Sequence, residues 1–166
     1  QFVGRQVKDL KIGIIGYGRL GKIMDGYCKA FGAQTFIYDP YVNVPQISLE
    51  QMFQECDVIS LHVHVTDETK YMISSKLLDL AKKDLYVINT SRGEIVNELD
   101  IVKALTAKKL TGYGADVIEN EFDDLIKSPI IRAMNERKNI ILTPHTGGMT
   151  IEGQTKAYKW AVNKLK

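Results

Sequence analysis

The sequence is poor in the features that mark secreted, membrane-bound or nucleic-acid-bound proteins. It holds only two cysteines, Cys28 and Cys56, in 166 residues. Neither sits in a CxxC or in ligand spacing with histidine, which argues against a disulfide framework or a zinc ribbon. Both thiols read as small buried hydrophobes in a reducing compartment. An excess of one charge is missing too: 22 Lys and Arg against 20 Asp and Glu leave a formal charge of +2. That balance gives no electrostatic footprint for nucleic acid and no basic block for a membrane surface. The longest apolar runs, around residues 12–15 and 86–88, are far too short to span a bilayer. Residues 1–10 carry charges and lack the apolar centre of a secretory leader, so a cytoplasmic location is expected. There is no internal repeat, low-complexity tract or Pro/Ser/Gly-rich linker. The remaining composition, 45% hydrophobic and 25% charged, is that of an ordinary globular chain. One domain over residues 1–166 is expected, long enough to bury a core without disulfides.

What is there is an alternation of short β-rich runs with amphipathic stretches. Strands are predicted at 10–15, 34–38, 57–63, 85–89, 111–117 and 139–143. Between the first two, residues 20–31 place Leu20, Ile23, Met24, Tyr27 and Phe31 at helical spacing, with Gly32 as the stop. Ser48 is placed to cap a short helix through Glu55, with Leu49, Met52 and Phe53 inward. Residues 74–82 read as helix, as do residues 98–109 behind an Asn97 cap, with Ile101, Val102 and Leu105 on one face. Residues 124–135 read as partly helical, interrupted by Pro129. Residues 150–166 read as a closing helix, with Ile151, Tyr158, Ala161 and Leu165 as its apolar positions. Six strands interleaved with helices predict an α/β fold: a doubly wound parallel sheet of Rossmann type, in three layers. In such sheets ligands bind beyond the carboxyl ends of the strands, near the topological switch point. The residues just after each strand are therefore the ones to read for function.

After the first strand comes Gly16-Tyr17-Gly18-Arg19-Leu20-Gly21. A bare GxGxxG is weak, but here a strand precedes it, a helix follows, and an acid closes the next strand. Gly16 permits the tight turn, Gly18 lets a pyrophosphate approach the backbone, and Gly21 lets helix and sheet pack closely. The N–H groups of Arg19 and Leu20 then face phosphate oxygens at the positive end of the helix dipole. Asp39 lies about 20 residues beyond Gly18, where a carboxylate accepts from both adenosine ribose hydroxyls. It would repel a 2′-phosphate, and Pro40 and Tyr41 follow instead of an arginine, so NAD is expected over NADP. The plainer reading of Asp39 is a turn aspartate before proline.

Beyond the fourth strand, Asn89-Thr90-Ser91-Arg92-Gly93 places an arginine at the sheet mouth, suited to gripping a carboxylate bidentately. Asp116 ends the fifth strand, and Glu121 follows within the next loop. Pro144-His145-Thr146-Gly147-Gly148 follows the sixth. Taken singly, Arg92 reads as a surface charge, Glu121 as a loop carboxylate and His145 as a rim residue. All of them fall at strand carboxyl ends beside a dinucleotide signature, which makes one cleft the better reading. His62 and His64 alternate along a strand and point the same way, but no third ligand is evident and no metal site is expected.

These segments resemble the D-specific 2-hydroxy acid dehydrogenases, the family of phosphoglycerate, glycerate and D-lactate dehydrogenases. The resemblance runs through residues 16–21, 38–39, 57–66, 88–93, 114–121 and 143–150. It implies an NAD-dependent oxidoreductase that moves a hydride between nicotinamide and C2 of a D-2-hydroxy or 2-keto acid. Arg92, Glu121 and His145 match the family's catalytic arginine, glutamate and histidine. His145 would then be the acid–base, Glu121 would favour its charged form, and Arg92 would orient the substrate. Asp116 matches the aspartate on the nicotinamide side. Arg19, Leu20, Asp39, Val63, His64, Thr69, Thr90, Ser91 and Gly147 fall where the family lines its cofactor cleft, together with the three glycines, Arg92 and His145. A homodimer is implied by the resemblance alone, since a core explains the apolar face of Ile101, Val102 and Leu105 equally well. Two departures stand out: His64 and Phe122 each occupy a place where the family commonly has proline. The chain is also expected to be the cofactor domain alone, without the substrate domain. It would then bind NAD with little or no turnover, because water is not excluded and the substrate is not held. A non-catalytic NAD-binding regulatory module needs residues 16–21 and Asp39, but not Arg92, Glu121 and His145 together. A formate dehydrogenase-like enzyme would carry glutamine where this chain has Glu121.

Overall fold

The computed structural model describes residues 4–123 and 125–164. The six strands are β1 (Lys11–Ile15), β2 (Gln34–Tyr38), β3 (Val58–Leu61), β4 (Tyr86–Asn89), β5 (Gly112–Ala115) and β6 (Ile140–Leu142). The helices between and after them are α1 (Arg19–Ala30), α2 (Leu49–Glu55), α3 (Ser75–Leu78), α4 (Glu98–Thr106), α5 (Pro129–Asn135) and α6 (Ile151–Lys164). All neighbouring strands run parallel, in the order β2-β1-β3-β4-β5-β6. The chain steps outward from β1 to β2 and then returns to the other side of β1. The switch point of this α/β sheet therefore lies between β1 and β3.

Alternation along β1 divides the core. Ile12 and Ile14 pack with Cys28 and Ala33 on the α1 face. Ile15 joins a much larger cluster on the other face, with Met52 and Phe53 of α2, Leu77 and Leu78 of α3, Ile101 and Leu105 of α4, and Ile130 of α5. Among the described residues, four helices thus cover one face, whereas α1 is the one helix that supplies buried side chains to the other. Ile141 of the edge strand β6 is 70% exposed. Gly13 belongs to the crowded face, where an added Cβ would meet Met52 at 2.5 Å.

Several local expectations hold. Ser48 caps α2 in a capping box with Gln51, and the Asn97 side chain accepts from the Asp100 N–H at the start of α4. Both cysteines are free and buried. Others are corrected. Pro129 does not interrupt a helix; it begins α5 as the first residue after the Ser128 cap, where its missing N–H has no intrahelical partner to lose. The apolar residues at helical spacing over 20–31 do not form the buried face: Leu20, Ile23, Tyr27 and Phe31 are exposed, and of that set only Met24 packs against the core. Gly21, Asp25 and Cys28 face the sheet instead. A Cβ at Gly21 would lie 2.0 Å from the Gly16 carbonyl oxygen, so this closest approach fixes the helix rotation. Asp25 is buried at no loss because Tyr17 and Thr35 hydroxyls and the Lys29 ammonium donate to it. α6 buries no described residue, so Ile151 and Tyr158 do not close the core. Leu165 lies outside the described residues.

Candidate active site

Ile15, Tyr38, Leu61, Asn89, Ala115 and Leu142 end the six strands, and they lie in one cross-strand row. Every residue singled out after a strand therefore leaves the sheet at the same level. The row positions two hollows, one on the β1–β3 side and one beside β5 and β6.

The first hollow, about 630 Å³, opens at the switch point between Gly16, Gly18, Asp39, Tyr41, His62 and Thr69. Gly16 has φ +90°, and a Cβ there would come within 2.6 Å of the His62 carbonyl oxygen. Only glycine tolerates both conditions. Around Gly18 a Cβ would meet nothing within 4 Å, and the α1 N-terminus has no side-chain cap. Free helical N–H groups beside open space are what a pyrophosphate requires. Asp39 holds a turn in the lining of this hollow. Its carboxylate accepts from the backbone N–H of Tyr17 at 2.7 Å and of Tyr41 at 3.0 Å, and spare lone pairs remain for ribose hydroxyls. Val63 and His64 line the same hollow, and Thr69 braces it by donating to the His64 carbonyl at 2.5 Å. His62 is half-buried with its Nε2 on the Ser60 hydroxyl at 2.9 Å, and burial lowers its pKa. Sequence reasoning missed the far wall: the Tyr41 hydroxyl donates to Glu68 at 2.5 Å across the mouth. No periodicity marks such a contact between loops.

The second hollow, about 310 Å³, lies beside β5 and β6 and includes Asp116, Glu121, Phe122, Thr143 and His145. Glu121 and His145 meet here, Oε1 to Nδ1, at 2.6 Å. An ionised carboxylate only accepts, so Nδ1 carries the proton and Nε2 is left for other chemistry. His145 has φ +52°, a left-handed conformation that costs a residue with a Cβ about 1–2 kcal/mol. Asp116 holds that turn. It accepts from the Thr143 hydroxyl, from the Thr146 N–H at 3.0 Å and from the Gly147 N–H at 2.8 Å. Burial opposes its charge most strongly. The Thr143 hydroxyl and the two N–H groups outweigh burial, with help from His145, and hold the carboxyl below its ordinary range. A Cβ at Gly147 would meet Asp116 Oδ2 at 2.9 Å, so this glycine serves the clasp.

Arg92 and Ser91 are placed less directly. The buried Ser91 hydroxyl donates to the Leu61 carbonyl at 2.6 Å. The Asn89 side chain accepts from the Ser91 N–H and donates to the Arg92 carbonyl, which shapes the turn. Thr90 is exposed there. The exposed Arg92 guanidinium donates to the Ser91 carbonyl at 2.6 Å. The structure thus pairs Glu121 with His145, while Arg92 stands two strands away along the same edge. Among the described residues no three His, Cys, Asp or Glu side chains gather as a metal site.

Comparison with known proteins identifies the family and the fold. The family described as D-isomer specific 2-hydroxyacid dehydrogenase, NAD binding domain, matches residues 1–147. A 2-hydroxyacid dehydrogenase homolog of Zymomonas mobilis is 34% identical over 90% of this chain and 50% of its own length. Glyoxylate reductase of Thermococcus litoralis is 34% identical over 92% of the chain and 47% of its own. Among solved structures, D-2-hydroxyisocaproate dehydrogenase aligns with a TM-score of 0.91 at 28% identity, covering 98% of this chain and 53% of that one. D-lactate dehydrogenase of Aquifex aeolicus, complexed with NAD and lactic acid, aligns with a TM-score of 0.89 at 29% identity, covering 98% and 54%. The chain spans about half the length of the curated relatives it matches. It belongs to the D-isomer-specific 2-hydroxyacid dehydrogenases and is their NAD-binding domain.

Proposed function

We propose that this domain takes part in hydride transfer at C2 of a D-2-hydroxy or 2-keto acid, with His145 as acid–base, Glu121 as its partner and Arg92 as the substrate-orienting cation. The observation that carries the reading is the 2.6 Å contact of Glu121 with His145 Nδ1, set beside Asp116 at the sheet edge. The nicotinamide supplies or accepts the hydride when NAD is bound. With Nδ1 held by Glu121, His145 Nε2 takes the hydroxyl proton in oxidation and returns one to the carbonyl oxygen in reduction. Arg92 would leave its own-chain carbonyl and grip the substrate carboxylate. At the other end, Gly18 and the first N–H groups of α1 hold the pyrophosphate, and Asp39 selects the unphosphorylated ribose.

His145→Ala in the catalytically competent protein is the test. Turnover falls by about 10²–10⁴-fold while NAD affinity is kept; an equal fall in both makes the histidine structural. For the ribose, the double change Asp39→Ser with Pro40→Arg raises the NADP/NAD preference, and an unchanged ratio removes Asp39 from that role. A purely regulatory NAD module would not need the Glu121–His145 pair. The 166 residues alone are expected to bind NAD with little or no turnover, and measurable oxidation of a D-2-hydroxy acid would refute this. A homodimer belongs to the same proposal, supported by the outward apolar residues Ile23 and Tyr27 of α1 and Phe31 at its C-terminal cap. So does a cytoplasmic setting, supported by two free, buried thiols. No described helix is long and apolar enough to cross a membrane.

A further inference from the structure

Glu98, in the first turn of α4, is a carboxylate only 4% exposed, and the chemistry proposed above makes no use of it. Its two oxygens serve two different places. One accepts from the backbone N–H of Glu119 at 2.8 Å. The other accepts from the Ser128 hydroxyl at 3.3 Å. Glu119 and Ser128 are the two ends of the loop that carries Glu121, and Ser128 also caps α5. We propose that Glu98 is a positioning residue: one buried carboxylate staples both ends of the 119–128 loop and so brings Glu121 onto His145. This rests on the acid–base reading of that pair.

Three further observations converge on the same end of the loop. The Tyr71 hydroxyl donates to the Glu119 side chain. A Cβ at Gly93 would lie 2.1 Å from the Glu119 nitrogen, so loop backbone presses directly on the 93–95 turn. Asn120 then turns the chain with φ +55°, a conformation asparagine tolerates better than most residues, and Glu121 follows. Burial raises the Glu98 pKa, and the two donors act against that rise. A carboxylate placed where burial disfavours its charge, with each oxygen on a separate loop end, fits anchoring better than space filling.

The experiment uses the chain itself and reads the carbon-bound ring protons of His145 by NMR, assigned through His145→Gln. Glu121→Ala moves these resonances and sets the reference for a lost pair. Glu98→Ala is expected to move them to the same place, with NAD affinity held within about twofold because the hydrogen bonds described for Asp39, Tyr41 and Thr69 at the adenosine hollow are not made to the loop. Glu98→Gln keeps the wild-type position, since its amide oxygen still accepts from the Glu119 N–H. A Glu98→Ala chain with wild-type resonances overturns the proposal. So does a Glu98→Gln chain displaced as far as Glu98→Ala, because charge and not anchoring would then be at work. If Glu98→Ala does not fold, Glu98→Asp, too short to reach both tethers, carries the same expectation. The two readings fail separately. Absent hydride transfer in the wild-type enzyme removes the function and leaves the staple. Resonances indifferent to Glu98 remove the staple and leave the function.

Discussion

Asp57 and Asp116 are buried aspartates at opposite ends of the same parallel sheet, and their partners differ in kind. Asp57, just before β3, is 4% exposed and meets Arg5 at 2.6 Å, Lys82 at 2.7 Å and the Lys11 N–H at 2.7 Å. Asp116, just after β5, is 9% exposed and meets only neutral donors directly: one hydroxyl and two backbone N–H groups. A carboxylate that neutralises fixed cations at the amino end ties the N-terminal segment and the 79–85 connection to the strand. A carboxylate that gathers N–H groups shapes a turn, and that turn carries His145. Charge pairing marks the amino end of the sheet, and donor geometry marks the end that carries His145.

Removing each acid separates the two roles. Asp116→Ala frees the 143–147 turn, and in the competent enzyme turnover should fall on the order of 10²-fold, the cost of a small displacement of a reacting group. Asp57→Ala should leave turnover per folded molecule unchanged. Equal losses in the two variants, measured by NADH absorbance, would erase the distinction.

Acid sharpens it. Burial works against the Asp57 charge, but the Lys11 N–H, Lys82 and Arg5 prevail and hold its pKa at about 2. A carboxyl depressed in the folded state stabilises above its unfolded value near 4, and that stability is lost as pH falls through the folded value. The difference amounts to about 2–3 kcal/mol, withdrawn between about pH 4 and pH 2. Denaturant titrations across that window should show the loss in the wild-type chain and a flatter profile in Asp57→Asn. The same slope in both would remove Asp57 from acid unfolding.

The smallest expected effect is Gly147→Ala. Its Cβ would press Asp116 Oδ2 from 2.9 Å, so the clasp must give by a few tenths of an ångström. A loss of about 1 kcal/mol is expected, read as a lower melting temperature that Asp116→Ala abolishes on combination. Strict additivity of the two would place Gly147 outside the clasp.

The dinucleotide end was the more legible in sequence because its constraints are local. Gly16, Gly18 and Gly21 answer to a turn, an open approach and a close packing within six residues. The Ser48 and Asn97 caps are local in the same sense. Apolar spacing alone did not say which face of α1 is buried. Leu20, Ile23, Tyr27 and Phe31 share a stripe, but the tightest contact, Gly21 on Gly16, decides which stripe meets the sheet. Beside β5 and β6, residue types and strand ends pointed to Glu121, His145 and Asp116. That Asp116 clasps the histidine turn was not visible, because its donors lie about 30 residues away in sequence. Ser91 turned inward for a similar reason, since its acceptor is the carbonyl of Leu61 on a neighbouring strand.

The sequence by itself determined the alternation of strands and helices, the glycine turn after β1 and the acid after β2, because each depends on periodicity or on backbone sterics within one loop. Only the tertiary structure decided which face of α1 is buried, that Glu121 reaches His145, and that Glu98 and Asp116 hold the loops that let them meet. Those outcomes depend on hydrogen bonds between segments far apart in the chain, and their geometry exists only after the parallel strands have aligned their carboxyl ends in one row.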